Sequence, residues 1–407
     1  MKDIFDKCNF NERLDLIRKL DLYPFFTQLE SKQDVVVQMN GQEVIMLGSN
    51  NYLSLTNNNE VIQAGLDAIK KFGTGVSGSR FLNGTTTLHV NLEKELANFL
   101  KKEDCVIFSS GFNANLGILS CIGNRNDVIF CDRENHASIY DGIKLGFAQL
   151  ERYYHNNMED LEERLKKYQD KNVGALIVTD GVFSMSGEMC NLPKITELAK
   201  KYNARIMVDD AHGFGVLGKN GRGTPEYFDL ENDVDIIMGT FSKSLASLGG
   251  YVVGPKKVID FIRHNSRPFI FAAALPPANL ACAQKALSII QTNPKCFQKL
   301  KEITNYLRNI FIKNNLKIGG HPDVPIIPIY SGSELRTLAL CKHLFNNQVY
   351  VNPVLPPATP DNNCLIRLSL QSNLSTELIN IAASKIIDAL QLIPEDDNSI
   401  MKLYVNK

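Results

Sequence analysis

Gly239-Thr240-Phe241-Ser242-Lys243 directly follows the apolar run Val234-Asp235-Ile236-Ile237-Met238, so a strand delivers two hydroxyls and a primary amine to one short turn. Hydroxyls grip a phosphate and an amine forms an imine with an aldehyde, a pairing that suits pyridoxal 5'-phosphate. A second buried-looking run, Arg205-Ile206-Met207-Val208, ends in Asp209-Asp210-Ala211-His212. Lys243 lies 34 residues beyond Asp209, the length of one strand-helix-strand crossover, which brings both motifs to the same sheet edge. A carboxylate there would keep the coenzyme's ring nitrogen protonated; Asp209 is preferred, although composition alone allows Asp210. His212 reads either as a loop histidine with a satisfied hydrogen bond or as a contact for the ring's phenolate oxygen.

Outward from these motifs, short β-rich runs alternate with helical segments between about residues 105 and 254. The runs are Val106–Phe108, Val128–Phe130, Ala175–Val178, Arg205–Val208, Ile236–Met238 and Tyr251–Val253, with helices expected at Glu159–Tyr168 and Pro193–Tyr202. This predicts an α/β fold with a mostly parallel central sheet covered by helices on both faces. Long helices at Pro276–Gln291 and Pro294–Asn314 lead out of it. Beyond them come strands at Val324–Tyr330 and near Leu365–Leu370, and helices at Glu334–Phe345 and Thr376–Leu390, a smaller α+β C-terminal domain. The expected divisions are an N-terminal segment (1–48), a large coenzyme-binding domain (49–290) and a small domain (291–407), with the residues after Pro394 loose.

Other motifs carry less on their own. Gly73-Thr74-Gly75-Val76-Ser77-Gly78 matches a dinucleotide fingerprint, but it follows the helical run Val61–Phe72 where the fingerprint requires a strand, so a flexible turn is the better account. Ser109-Ser110-Gly111-Phe112-Asn113-Ala114-Asn115 sits between a strand and a helix expected to begin near Asn113. It is either a small-residue turn or an anion site, and beside Thr240, Ser242 and Lys243 the second reading gains as half of a phosphate cup. His136 also follows a strand and precedes a helix, as a cap or packing residue or as a ring stacked on a flat ligand.

Lys plus Arg (44) balances Asp plus Glu (44), which leaves no basic field for nucleic acid. The nine cysteines contain no C-x-x-C pair and read as reduced, cytoplasmic and mostly buried. No signal-peptide apolar region is visible, and the tract Phe269–Leu275 is far short of a membrane span, so a soluble protein is expected, with membrane-surface contact left open. The remaining histidines form no metal cluster, and no G-x-S-x-G elbow exists.

Together these segments resemble the α-oxoamine synthase family, fold-type I pyridoxal phosphate enzymes that condense an amino acid with an acyl-CoA thioester and release CO2. The likeness runs from Gly48-Ser49-Asn50-Asn51-Tyr52-Leu53 through Ser79-Arg80-Phe81, His89, Leu92-Glu93, Ser109–Asn115, His136-Ala137-Ser138, Gly181–Gly187, Asp209–Gly213, Gly239–Lys243 and Gly249-Gly250 to Arg367. It implies Lys243 as the covalent anchor of the coenzyme and later acid-base catalyst, Asp209 on the ring nitrogen, and His136 stacked over the ring. Ser184 and His212 would lie near the phenolate, and Gly111, Phe112, Thr240 and Ser242 around the phosphate. Asn50 and Arg367 would receive the amino acid carboxylate. The wording of Gly239–Gly250, Ser79–Thr85 and Val351–Val354 favours L-serine and a long-chain acyl-CoA such as palmitoyl-CoA, giving 3-oxosphinganine. Alternatives within the family use acetyl or pimeloyl thioesters; a more distant one is a pyridoxal phosphate aminotransferase or lyase. The resemblance also implies a homodimer. Ala272-Ala273-Ala274 stands where many relatives carry Ser or Thr for a cross-subunit phosphate contact, and Leu355 where several carry arginine.

Overall fold

In the computed structural model, which describes residues 1–8, 12–360 and 362–405, the apolar runs become strands of one seven-stranded sheet. The strands are β1 (Asp104–Phe108), β2 (Val128–Asp132), β3 (Gln149–Tyr153), β4 (Ala175–Asp180), β5 (Arg205–Asp209), β6 (Ile236–Thr240) and β7 (Gly250–Gly254). Their spatial order is β1-β7-β6-β5-β4-β2-β3; β7 is antiparallel to both neighbours and every other pair is parallel. Every residue of β2, β6 and β7 is buried, as expected for strands covered on both faces. Alternate side chains go to opposite cores. Val106, Ile129, Val178, Met207, Met238 and Val252 enter one, and Ile107, Phe130, Ile177, Val208, Ile237 and Val253 the other.

Parallel strands end together, so Asp132, Asp180, Asp209 and Thr240, the last residues of β2, β4, β5 and β6, share one edge. Strand β3, of sequence QLERY, escapes the apolar-run reading because as an edge strand it buries only Tyr153. The Gly111–Ile122 helix starts two residues earlier than expected, because Ser110 caps it through the N–H of Asn113 at 3.1 Å. Gly73 follows the Asn59–Phe72 helix at φ +79° and returns its N–H to Ile69, a helix stop and not a phosphate loop.

A second, antiparallel sheet joins Ile326–Gly332, Cys364–Ser369 and Asn352–Val354, packed with the helices Glu334–Asn346 and Thr376–Leu392. The hairpin Val36–Met39/Gln42–Met46 takes Val349–Tyr350 as its third strand, so the N-terminal segment lies against the C-terminal part of the chain. Ser369 N then donates to Leu47 O at 2.7 Å and Ser372 N to Tyr52 O at 2.8 Å, stitching the segment that carries Asn50 to the small sheet. The residues after Pro394 are not loose: Asp397–Val405 is a helix that buries Ile400 completely.

An ion pair ties the helix Thr87–Phe99 to β1. Arg80 grips Glu93 through both nitrogens at 2.8 and 3.1 Å, and Glu93 Oε1 also accepts the N–H of Ile107 at 3.0 Å. Both side chains are only 7% exposed. Glu93→Ala therefore strands a buried guanidinium and a backbone donor, and a loss of ~3–5 kcal/mol is expected, read as a lower urea midpoint.

Candidate active site

The carboxyl ends of β4, β5 and β6 and the start of the Gly111–Ile122 helix enclose a cavity of about 230 Å³. Chain direction explains the position, since a parallel sheet gathers its loops and helix starts on one side. Gly111, Phe112, His136, Ser184, Asp209, His212, Thr240, Ser242 and Lys243 all line it, as do Asn115, Ser138 and Asp180.

One end is built for an anion. Thr240 Oγ1 lies 2.9 Å from Ser242 Oγ, and the N–H groups of Gly111 and Phe112, first in their helix, have no intrahelical acceptor. Gly111 lets the backbone come close here: a Cβ would lie 3.0 Å from Thr240 Cβ and Oγ1 and press that side chain aside. The other end is built for a heteroaromatic cation. Asp209 Oδ2 accepts from Asn115 Nδ2 at 2.7 Å and Oδ1 from the N–H of Ala211 at 3.1 Å, which fixes the carboxylate in place. Alternation along the chain puts Asp209, and not its neighbour Asp210, in the cavity lining. Asp210 turns away from the cavity and binds Thr224 through its N–H at 2.8 Å and its hydroxyl at 2.6 Å. Burial lifts the Asp210 carboxyl to about 7 against the pull of those two Thr224 bonds.

His136 is both a cap and a cavity wall. Its Nδ1 receives the N–H of Ser138 at 3.3 Å and lies 2.7 Å from Ser138 Oγ, which in turn takes Asn115 Nδ2 at 2.9 Å. Burial lowers its pKa, with Asp209 opposing and Lys243 adding to the shift. Lys243 is brought down to about 8: burial penalises its ammonium, Asp209 and Asp180 oppose, and Arg367 pushes it further down. Asp180 goes the other way, well above the carboxylate range, through burial and the neighbouring Asp209.

Asn50 and Arg367 stand behind this wall. Arg367 Nε donates to Ser184 O at 2.5 Å, Nη1 to Ser369 Oγ at 2.6 Å and Nη2 to Asn50 Oδ1 at 3.1 Å. Tyr52 Oη lies 2.7 Å from His212 Nδ1. Sequence reading quoted Tyr52, Asn115 and Ser138 only as parts of motifs, without a role, and did not name Asp180. Asp180 was findable, because it follows the expected strand Ala175–Val178 by two residues, at the edge where Asp209 follows Arg205–Val208.

An amine that loses its proton near neutrality, a fixed carboxylate across from it and an anion cup of hydroxyls and helix N–H groups match the aldehyde, ring nitrogen and phosphate of pyridoxal phosphate. The residues fit the group. Ala272-Ala273-Ala274 adds no hydroxyl to the cup, and pairs within the chain through Ala273 with Ser79 and through Ala274 N with Gly78 O at 2.9 Å.

A family model for class I and II aminotransferases matches residues 42–386. The chain is 47% identical over 372 residues to a serine palmitoyltransferase of Bacteroides thetaiotaomicron, covering 91% of this chain and 94% of that one. It is 40% identical over 371 residues to an 8-amino-7-oxononanoate synthase of Thermoanaerobacter pseudethanolicus, covering 90% and 93%. Among solved structures, Sphingomonas wittichii serine palmitoyltransferase matches with a TM-score of 0.93 and 34% identity, covering 97% of this chain and all (100%) of that one. The S. paucimobilis serine palmitoyltransferase with a bound PLP-myriocin aldimine matches with a TM-score of 0.92 and 33% identity, covering 96% and 99%.

Two outcomes follow from the geometry. Asp210→Asn is expected to retain coenzyme binding while losing ~1–3 kcal/mol of stability, whereas Asp209→Asn keeps its fold and loses the coenzyme's function; absorbance spectra and denaturation curves separate them. Because Lys243 gives up its proton near pH 8, aldehyde uptake by the coenzyme-free chain should rise through about that pH and then level off. A lysine at its ordinary 10.5 would keep accelerating well beyond it.

Proposed function

The chain belongs to the class I and II aminotransferase family, as a pyridoxal phosphate-dependent acyltransferase of the α-oxoamine synthase kind, and from that premise we propose that it condenses L-serine with a long-chain acyl-CoA. The products are 3-oxosphinganine, CoA and CO2. What carries the reading is one cavity that joins Lys243, Asp209 and the Gly111–Thr240–Ser242 cup, backed by an arginine at the wall, in a chain 47% identical to a serine palmitoyltransferase over 91% of its length.

When bound, pyridoxal phosphate supplies an aldehyde for the amino acid nitrogen and an electron-withdrawing ring for the electron pair left by a broken Cα bond. Every other task falls to the chain. Thr240, Ser242 and the N–H groups of Gly111 and Phe112 would hold the phosphate, Asp209 would hold a proton at the ring nitrogen and His136 would lie against the ring. Arg367, with Asn50 beside it, holds the serine carboxylate, for which a planar fork is suited. Lys243, as a neutral amine, takes the Cα proton, which opens the carbon to attack on the thioester carbonyl; CoA leaves as the carbon–carbon bond forms. The carboxylate then departs as CO2 and a proton takes its place at the same carbon. A positioned base of this kind contributes about 10²- to 10⁴-fold.

Homologues at 40% identity that are 8-amino-7-oxononanoate synthases favour a second reading in which the same machinery takes a pimeloyl thioester. The amino-acid end would be shared and only the acyl end would differ.

Exposed apolar side chains support a homodimer: Phe112 and Leu248, which line the cavity, are 43% and 52% exposed, and Phe271 and Leu82 are 78% and 79% exposed. All nine cysteines are free, which supports a reducing, cytoplasmic setting. No helix among the described residues is long and apolar enough to cross a membrane.

CoA release with serine plus palmitoyl-CoA is expected to exceed release with acetyl-CoA or pimeloyl-CoA; faster turnover of pimeloyl-CoA would favour the second reading. Arg367→Lys should raise the serine KM by about tenfold to a hundredfold, from ~1.5–3 kcal/mol of lost charge-assisted hydrogen bonding, while the coenzyme's visible band stays in place.

A further inference from the structure

We propose that Tyr52 is a positioning residue that holds neutral His212 as an Nε2–H donor, and that Arg367 keeps it so by occupying the Asn50 oxygen that would otherwise compete for the tyrosine proton. The tautomer follows from the structure alone; the meaning of the link rests on Arg367 being the carboxylate anchor of the proposed function.

Proton bookkeeping at buried atoms leads there. Tyr52 is fully buried and His212 is 7% exposed, so neither hydroxyl nor ring can turn to water for a substitute partner. Tyr52 Oη has one proton and two candidate acceptors, His212 Nδ1 at 2.7 Å and Asn50 Oδ1 at 3.3 Å. The Asn50 oxygen already takes Arg367 Nη2 at 3.1 Å. It also takes Ser369 Oγ at 3.2 Å, and that hydroxyl must donate there because it is itself the acceptor for Arg367 Nη1 at 2.6 Å. Two donors fill the two lone pairs of an amide carbonyl. The tyrosine proton therefore goes to the shorter contact, and Nδ1 of His212 is an acceptor.

A neutral imidazole has one N–H, so it must sit on Nε2. His212 is neutral: burial lowers its pKa far below the usual value, with Lys243, Arg367 and His136 adding to the shift. The Tyr52 hydroxyl is driven up to about 12 by burial, against the charge and hydrogen bond of Arg367. Hydrogen bonding thus runs from the guanidinium to the Asn50 oxygen, which it helps to fill, and from the phenol to the imidazole. Nε2–H is left at a residue that lines the cavity, with no protein acceptor recorded for it among the described residues. A carboxylate that draws Arg367 Nη2 off the Asn50 oxygen frees a lone pair there, gives the Tyr52 proton a competing acceptor and so changes the strength of the Nε2–H donor. Substrate occupancy is in this way reported to whatever oxygen meets His212.

The test is ring-nitrogen NMR on the full-length chain labelled with ¹⁵N-histidine, coenzyme-loaded and again after coenzyme removal, with the His212 signals assigned by difference from His212→Gln. The expected spectrum shows His212 protonated on Nε2 and bare on Nδ1 in both states. In Tyr52→Phe the two nitrogen shifts move toward each other. Arg367→Gln moves the Nδ1 signal, and the larger part of that movement disappears when Tyr52→Phe is also present. A protonated Nδ1 in the unsubstituted chain, a Tyr52→Phe spectrum unchanged at these nitrogens, or an Arg367→Gln shift that survives intact would each overturn the proposal. Should Tyr52→Phe not fold, the unsubstituted spectrum still decides the tautomer and Arg367→Gln still decides the link. None of these readouts needs turnover, so their failure leaves the serine reading standing, and absent CoA release from serine would sink that reading without touching the tautomer.

Discussion

One positive charge set among buried carboxyl groups organises this molecule. Lys243 is attracted by both Asp209 and Asp180, and the fold decides how much charge that corner holds. Removing an ion from water costs several kcal/mol even after relaxation, so the arrangement persists only because charge is rationed. Asp180 is driven toward its neutral acid, the amine is driven toward its neutral base, and the two histidines of the wall are kept uncharged. What remains is a site with a carboxylate held by Asn115 and the Ala211 N–H, facing an amine ready to react near neutral pH.

The sheet makes that rationing achievable. Asp132, Asp180 and Asp209 end adjacent strands, and three carboxylates in a row would repel one another if each were left alone. Asp132 is compensated on the side away from the cavity. His155 sits between Asp132 at 2.9 Å and Glu188 at 2.9 Å; burial works against its charge, yet those two carboxylates outweigh it and lift the imidazole to about 10. This imidazolium also braces the loop that carries His136 to the loop that carries Ser184. Thus the wall of the cavity is held by an ion cluster that takes no part in the chemistry.

Much of this was legible in the amino-acid order because coenzyme chemistry needs neighbours in the chain. Thr240, Ser242 and Lys243 fall within one turn, and the apolar runs before them and before Asp209 announce parallel strands. The same locality explains what stayed hidden. Tyr52 meets His212 across 160 positions, which no spacing rule reaches. Asp209 and Asp210 are equal in composition and differ only in the face each presents. The polar edge strand Gln149–Tyr153 and the helix anchored by Ile400 were missed because tertiary packing, not pattern, stabilises them. His136 offered a cap or a stacking ring; the structure shows the cap, on a side chain that also lines the cavity.

The stitching of Leu47 and Tyr52 to Ser369 and Ser372 has a mechanical side. It makes the Asn50–Tyr52 stretch travel with the small antiparallel sheet, while His212 is rooted in the loop after β5 of the large one. The 2.7 Å contact between them therefore joins the two sheets. A shift of one sheet against the other would change that contact, so the relation between the two sheets is written into a single ring nitrogen.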